Sequence, residues 1–153
     1  MVRLPRNSQS PELTLSIQYP GGKADAPTRP QVRRWVRATC TQPAEITVRL
    51  VDIEEGRTLN QEFRGKNYAT NVLSFGYARE PILAGDLVLC LPVVLDEARK
   101  QNKLPQAHFA HLIVHGMLHL LGFDHETSAS EAERMEARER EILESLGFPD
   151  PYL

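Results

Sequence analysis

Apolar and polar residues alternate in two stretches near the start of the chain, and both stretches are typical of half-buried strands. In residues 12–18 the apolar positions are Leu13, Leu15 and Ile17, and a second alternating stretch runs from about residue 46 to 53. The segment GDLVLC, residues 85–90, is nearly continuously apolar and predicts a more buried strand. Between the second alternating stretch and GDLVLC, the segment RGKNYATNVLSF at 64–75 predicts a loop that leads into another short strand.

Apolar residues at helical spacing predict five helices. Pro92 and Pro105 each favour the first turn of a helix, and Gly122 can take the left-handed position that ends one. Ser128, with Glu131 three residues on, predicts the start of the last helix. The predicted helices cover about 28–39, 54–64, 92–101, 105–121 and 128–146. With strands near the front and helices concentrated at the back, the pattern predicts an α+β fold.

Composition limits the class of protein. The chain has 153 residues, of which 41% are hydrophobic and 25% charged, as expected for one globular domain over 1–153, with 1–10 as a flexible tail. The longest apolar run, Leu87 to Leu95, has nine residues, whereas a membrane span needs about 20. Without a secretory signal we expect a cytoplasmic protein. Cys40 and Cys90 are too few for a disulfide framework and predict buried thiols.

Charge is unevenly distributed along the chain, although the net charge is only −2. Residues 1–50 contain eight Lys/Arg against three Asp/Glu, and residues 51–153 contain ten against seventeen. Arg29, Arg33 and Arg37 follow one another at four-residue spacing in the first predicted helix. The sequence therefore allows a local basic face on an otherwise acidic protein.

All five histidines lie between residues 108 and 125. His115 and His119 are one helical turn apart on the same face, and a turn at Gly122 can bring His125 back toward them. Imidazole is a good ligand for zinc, and three such ligands leave one coordination position for water, as in catalytic zinc sites. We therefore predict a metal site made by these three histidines, rather than core or capping histidines.

Two further histidines and one glycine qualify this prediction. His108 and His111 share the helical face of the ligands, but we expect them to support the site or face substrate rather than bind the metal. Zinc peptidases with the HExxH signature have a glutamate directly after the first histidine as general base. Here that residue is Gly116, which makes a peptidase a minor hypothesis.

Three blocks of the sequence together resemble the YbeY family of bacterial metal-dependent endoribonucleases. They are RGKNYATNVLSF at 64–75, GDLVLC at 85–90 and HGMLHLLGFDH at 115–125, and a final helix ends in LGFPDPY. The resemblance implies a zincin-like α+β fold with a small mixed sheet, and one zinc or nickel ion on His115, His119 and His125. The chain departs from the family at Gly76, where members often have proline, and in a short loop from Gly76 to Ala84.

The resemblance also implies a function. It indicates cleavage of single-stranded RNA in rRNA processing, at the 3′ end of small-subunit rRNA, and in ribosome quality control, with the small ribosomal subunit and its assembly factors as partners. The family's important arginine falls on Arg64, whose guanidinium can hold a phosphate through two hydrogen bonds. The arginines at 29, 33 and 37 are either a track for the RNA backbone or a solvated helix face. A metallopeptidase and a non-catalytic zinc-containing assembly factor are the alternatives.

Overall fold

Four strands and five helices make up the part of the chain that the structure, a computed structural model, describes, residues 11–153. The predicted flexible tail, residues 1–10, lies outside the described residues. The strands are β1 (Leu13–Gln18), β2 (Ala44–Val51), β3 (Val72–Ala78) and β4 (Leu83–Cys90). The helices are α1 (Arg29–Thr39), α2 (Ile53–Arg64), α3 (Leu91–Lys100), α4 (Pro105–Leu120) and α5 (Ala129–Ser145).

The strands form one mixed sheet in the order β1-β2-β4-β3. β1, β2 and β4 are parallel to one another, and β3 pairs antiparallel with β4 and lies at an edge. Parallel neighbours need a long crossover, and α1 lies in the crossover from β1 to β2. The predicted α+β class with a small mixed sheet is therefore confirmed.

The sheet has apolar residues on both faces. On β4, Leu87 and Leu89 belong to a large core that the sheet forms with α1, α4 and α5, while Val88 and Cys90 belong to a smaller cluster under α2. This double burial explains why β4 reads as a continuous apolar run in the sequence. Cys40 and Cys90 are free thiols, and no helix of residues 11–153 is long and apolar enough to cross a membrane.

Helix α4 carries the histidine-rich segment and is held on most of its sides. It contacts α1, α3 and α5 as well as β3 and β4, and it buries Phe109, Ile113 and Met117 completely or almost completely. Pro105 is at its start, and Gly122 beyond its end has a φ of +104°, as predicted from the sequence. A helix held in this way presents its half-buried histidines in a fixed direction.

Two sequence predictions about boundaries were wrong. Ile53 is the first residue of α2 rather than the end of a strand, because the Asp52 side chain accepts a hydrogen bond from the Glu55 N–H and starts the helix. The expected loop from Gly76 to Ala84 is mostly strand. Pairing between β3 and β4 extends to Ala78 and Ala84, and β4 begins at Leu83, so only residues 79–82 connect the two strands.

Candidate metal centre and cleft

The structure brings His115, His119 and His125 together. Their ring centroids are 4.7 Å apart for the first pair and 5.2 and 5.1 Å from each of these two rings to that of His125. The Nε2 atoms of His115 and His119 are 3.1 Å apart. Two nitrogens bound to one zinc ion at about 2.0–2.1 Å and at a tetrahedral angle are separated by roughly 3.4 Å, so this donor set fits a small divalent ion.

The protonation of His119 also suits a metal. Burial lowers the pKa of His119, and the neighbouring His115 and His125 lower it further. A histidine must be neutral to donate a lone pair, so this environment favours the ligand form at neutral pH.

A buried carboxylate supports the first of the three histidines. Glu139 of α5 is 0% exposed, and its Oε1 lies 2.5 Å from His115 Nδ1. Its Oε2 lies 3.1 Å from His111 Nε2 and accepts a hydrogen bond from the Tyr152 hydroxyl. Because Nδ1 of His115 donates to the carboxylate, Nε2 is left to face the other two histidines.

The hydrogen bonds to Glu139 determine its charge. Burial by itself raises the pKa of the carboxyl, but the hydrogen bonds from its three partners outweigh burial and lower the pKa to about 2. The pKa of the Tyr152 hydroxyl is raised by burial and by its bond to the carboxylate. Glu139 is therefore an anion that contacts His115 on the side of the ring away from His119, and Tyr152 stays a protonated donor.

Sequence reasoning did not find Glu139 or Tyr152. One signal was present, because Glu139 falls on the apolar face of α5, with Met135, Ile142 and Leu143, all of which are buried. A carboxylate in such a position needs buried partners. The group His111, His115 and Glu139 is also close enough to hold an ion, but its hydrogen bonds already account for the contacts between these side chains.

Arg64 enters the same cleft as the three histidines. It is the last residue of α2, which ends at Gly65 with a left-handed φ of 70°, and its Nη1 is a long 3.4 Å from Asn60 Oδ1. The cleft has a volume of about 1070 Å³ and is lined by Arg64, by edge strand β3 and by the metal-site histidines. Lys66, two residues beyond Arg64, is not among the described residues that line it.

Three residues near the histidine cluster, His108, Asp124 and Ser74, have local roles. His108 is buried, with Nε2 2.8 Å from a Glu97 carboxylate oxygen, and burial lowers its pKa. Asp124 accepts a hydrogen bond from the Glu126 N–H at 2.9 Å and so stabilises its own turn. Ser74 donates to the Gly116 carbonyl at 3.4 Å, which joins β3 to α4.

The arginines of α1 lie outside the cleft. Arg29 donates to the Ile17 carbonyl at 3.1 Å and lies over the Tyr19 ring, and Arg37 donates to the Pro11 carbonyl at 3.3 Å. These hydrogen bonds connect α1 to β1 and to the residues next to it. Two of the three arginines therefore have a structural role that does not require RNA binding.

Comparison with known proteins gives the family. The sequence model of the family described as Endoribonuclease YbeY matches residues 24–147. The chain belongs to the YbeY family. An Endoribonuclease YbeY from Paracidovorax citrulli is 56% identical over 146 residues, which cover 92% of this chain and 96% of the relative. One from Delftia acidovorans is 55% identical over 147 residues, with the same coverage.

A solved structure has a similar fold. The solution structure of TM1509 from Thermotoga maritima is 26% identical, with a TM-score of 0.57, over 90% of this chain and 98% of that one. The family model and the two relatives confirm the YbeY resemblance seen in the three sequence blocks, and the solved structure supports the fold class.

Proposed function

We propose that the metal-dependent endoribonuclease activity of this YbeY chain resides in the cleft between β3 and the end of α4. His115, His119 and His125 hold one zinc ion there, and Arg64 binds the scissile phosphate. The observation that carries the proposal is that a three-histidine donor set and an arginine without a carboxylate partner among the described residues line one cleft. A bound divalent cation supplies Lewis acidity to a phosphate oxygen or to a water molecule.

The chain's own residues perform the remaining tasks. Arg64 can place a planar guanidinium against two phosphate oxygens and offset the charge that develops at phosphorus. Glu139 fixes the ring of His115 so that Nε2 faces the site. Gly65 ends α2 directly after Arg64 and so sets where the guanidinium enters the cleft.

The cleft suits single-stranded RNA. Phe63 is 57% exposed and Tyr77 is 68% exposed, and both line the cleft with the histidines. The Phe63 ring packs edge-on against Phe75 at 5.0 Å, and the Tyr77 hydroxyl donates to Asp86 at 2.6 Å, so each ring has one contact that orients it. Unpaired bases stack on such rings, whereas the bases of a duplex are already stacked on one another.

Gly116, directly after His115, argues against peptidase activity. A β-carbon at residue 116 would lie 2.8 Å from Leu87 Cδ2 and 3.1 Å from Ser74 Oγ. The site therefore lacks the glutamate of the HExxH peptidases, and any side chain at residue 116 would require Leu87 to shift.

We further propose the 3′ end of small-subunit rRNA as the substrate, in line with the YbeY resemblance. The small ribosomal subunit and its assembly factors would be the partners, and the cytoplasm the location. Comparing cleavage of free precursor RNA with cleavage of the same RNA in purified small-subunit particles tests this part of the proposal.

The test of the site uses purified wild type, Arg64→Gln and Arg34→Gln, with metal content measured and labelled single-stranded RNA as substrate. Arg34 is the control because it is exposed on α1 and lies outside the cleft. We expect Arg64→Gln to lower kcat by about 10²–10³-fold with its metal retained, as for loss of one preorganised donor. Arg34→Gln should match wild type. Equal rates for all three proteins, or cleavage of casein in place of RNA, would contradict the proposal.

A further inference from the structure

A second arginine, Arg79, lines the same cleft as Arg64 and the three histidines. Arg79 directly follows β3, and its side chain lies over the turn that leads to His125. A β-carbon at residue 122 would be 2.7 Å from Arg79 Nη1 and 3.1 Å from Cζ. Gly122 therefore leaves the space in which this guanidinium lies.

The Arg79 guanidinium has no counterion among the described residues. No carboxylate of residues 11–153 lies within ion-pair distance of it, and the hydrogen bond at this residue is made by its carbonyl, which accepts from Gln42. Asp124 lines the same cleft, but its carboxylate accepts from the N–H of Glu126. An exposed, unpaired guanidinium inside a cleft is available for an anionic ligand.

The two arginines of the cleft are held by different elements. Arg64 ends α2 before the connection into β3, and Arg79 follows the last residue of β3. Arg64 Nη1 is close to Asn60 Oδ1 of its own helix, whereas the Arg79 guanidinium lies over Gly122 in the turn before His125. The two guanidiniums therefore have different surroundings within the cleft.

We propose that Arg79 binds the backbone phosphate of a nucleotide next to the cleavage site, as a substrate-positioning contact separate from Arg64. The inference rests on the proposed function, since the strand that it binds is the RNA substrate. Arg79 touches the turn before His125 without binding the metal, so its effect is on how the RNA lies across the histidines.

Binding and cleavage are measured separately to test this. The affinity of metal-loaded protein for a labelled single-stranded RNA that carries 2′-O-methyl groups is measured over a range of salt concentrations, with gel analysis to show that this RNA stays intact. Cleavage is measured on the unmodified RNA. The proteins are wild type, Arg79→Gln, Arg79→Lys and the control Arg34→Gln. For Arg79→Gln we expect about a tenfold rise in Kd and KM, little change in kcat, and a salt slope smaller by about 0.7.

Each outcome decides the inference. Arg79→Lys keeps the charge and should retain the wild-type salt slope, whereas a purely structural role for Arg79 would leave the slope unchanged in Arg79→Gln. If Arg79→Gln and Arg34→Gln both bind like wild type, the inference is wrong, even if wild type cleaves RNA. If wild type cleaves no RNA but its affinity depends on Arg79, the proposed function fails while the phosphate contact stands.

Discussion

Gly116 follows the first metal-site histidine, and its lack of a side chain lets α4 approach the sheet closely. An alanine β-carbon there would lie 2.8 Å from Leu87 Cδ2, a distance that packed carbons do not adopt. We therefore expect Gly116→Ala to lower the free energy of unfolding by about 1–3 kcal/mol, although alanine favours helix more than glycine.

Gly76→Ala is the matched control for this packing prediction. A β-carbon at residue 76 would lie 3.7 Å from Leu120, which is an ordinary contact, so this variant should unfold close to wild type. Urea unfolding measures both. A Gly116→Ala protein as stable as wild type would contradict this prediction and show that Leu87 and Ser74 can make room for the methyl group without net cost.

Glu139 provides the second test at the residue scale. Replacing it by glutamine removes the charge that faces His115 and leaves a buried amide whose N–H₂ needs an acceptor. We expect the metal affinity of Glu139→Gln to fall about 10–100-fold, the usual cost of losing such a support. Competition with a chelating dye measures it. Glu133→Gln, at an exposed position of the same helix, is the control and should bind metal like wild type. Equal metal affinity in the two variants would show that Glu139 does not support metal binding.

At the scale of elements, Gly65 sets the direction of Arg64. Its φ of +70° is strained for a residue with a side chain, and a β-carbon there would meet nothing within 4 Å, so only the backbone conformation resists substitution. Gly65→Ala should lose about 1–2 kcal/mol of stability and also part of the RNA cleavage rate.

Gly22 separates these two effects. It has a φ of +93° and equally open space, but it lies between β1 and α1, outside the cleft. Gly22→Ala should lose similar stability in urea and keep full cleavage at a temperature where both variants are folded. If Gly65→Ala cleaves RNA as fast as Gly22→Ala, the position of Arg64 does not depend on this helix end.

Local signals in the sequence predict most elements, and tertiary contacts account for the rest. Alternation at Leu13 to Ile17 and the proline at residue 105 are sufficient for β1 and the start of α4. The order of the strands in the sheet could not be predicted in this way, because no local pattern shows that β4 lies between β2 and β3. The end of β3 was missed since Gly76 and Tyr77 interrupt the apolar pattern, and pairing with β4 forms it.

The same division applies to the candidate site. The histidines of α4 are close in sequence, so the spacing of His115, His119 and His125 predicts the cluster. Glu139 and Tyr152 reach it through packing of α5 and the C-terminal segment, which spacing does not encode. Arg64 was predicted only through the family resemblance, because a single exposed arginine carries no local signal.

For the whole molecule, a metal bound by the three histidines should connect α4 to the turn after it and, through Glu139, to α5. Metal binding should therefore stabilise the folded protein. A ligand that binds only the folded state adds about 2.7 kcal/mol at 100 times its Kd, and in a domain of this size each kcal/mol shifts Tm by about 2–4 °C. We therefore expect a chelator to lower the Tm of wild type by about 5–10 °C. Scanning calorimetry with and without chelator measures this, and His119→Ala should show no such shift. A chelator effect of the same size in His119→Ala would place the metal elsewhere.

The central claim is that the three histidines hold the one metal ion that RNA cleavage needs. The most direct test is to titrate metal-free protein with zinc while the cleavage rate of single-stranded RNA is recorded. A parallel titration with nickel compares the two ions. The rate should rise linearly to one equivalent per chain and then stay constant, and His119→Ala should remain inactive throughout. Full activity of the metal-free protein, or equal activity of His119→Ala at one equivalent, would contradict the account.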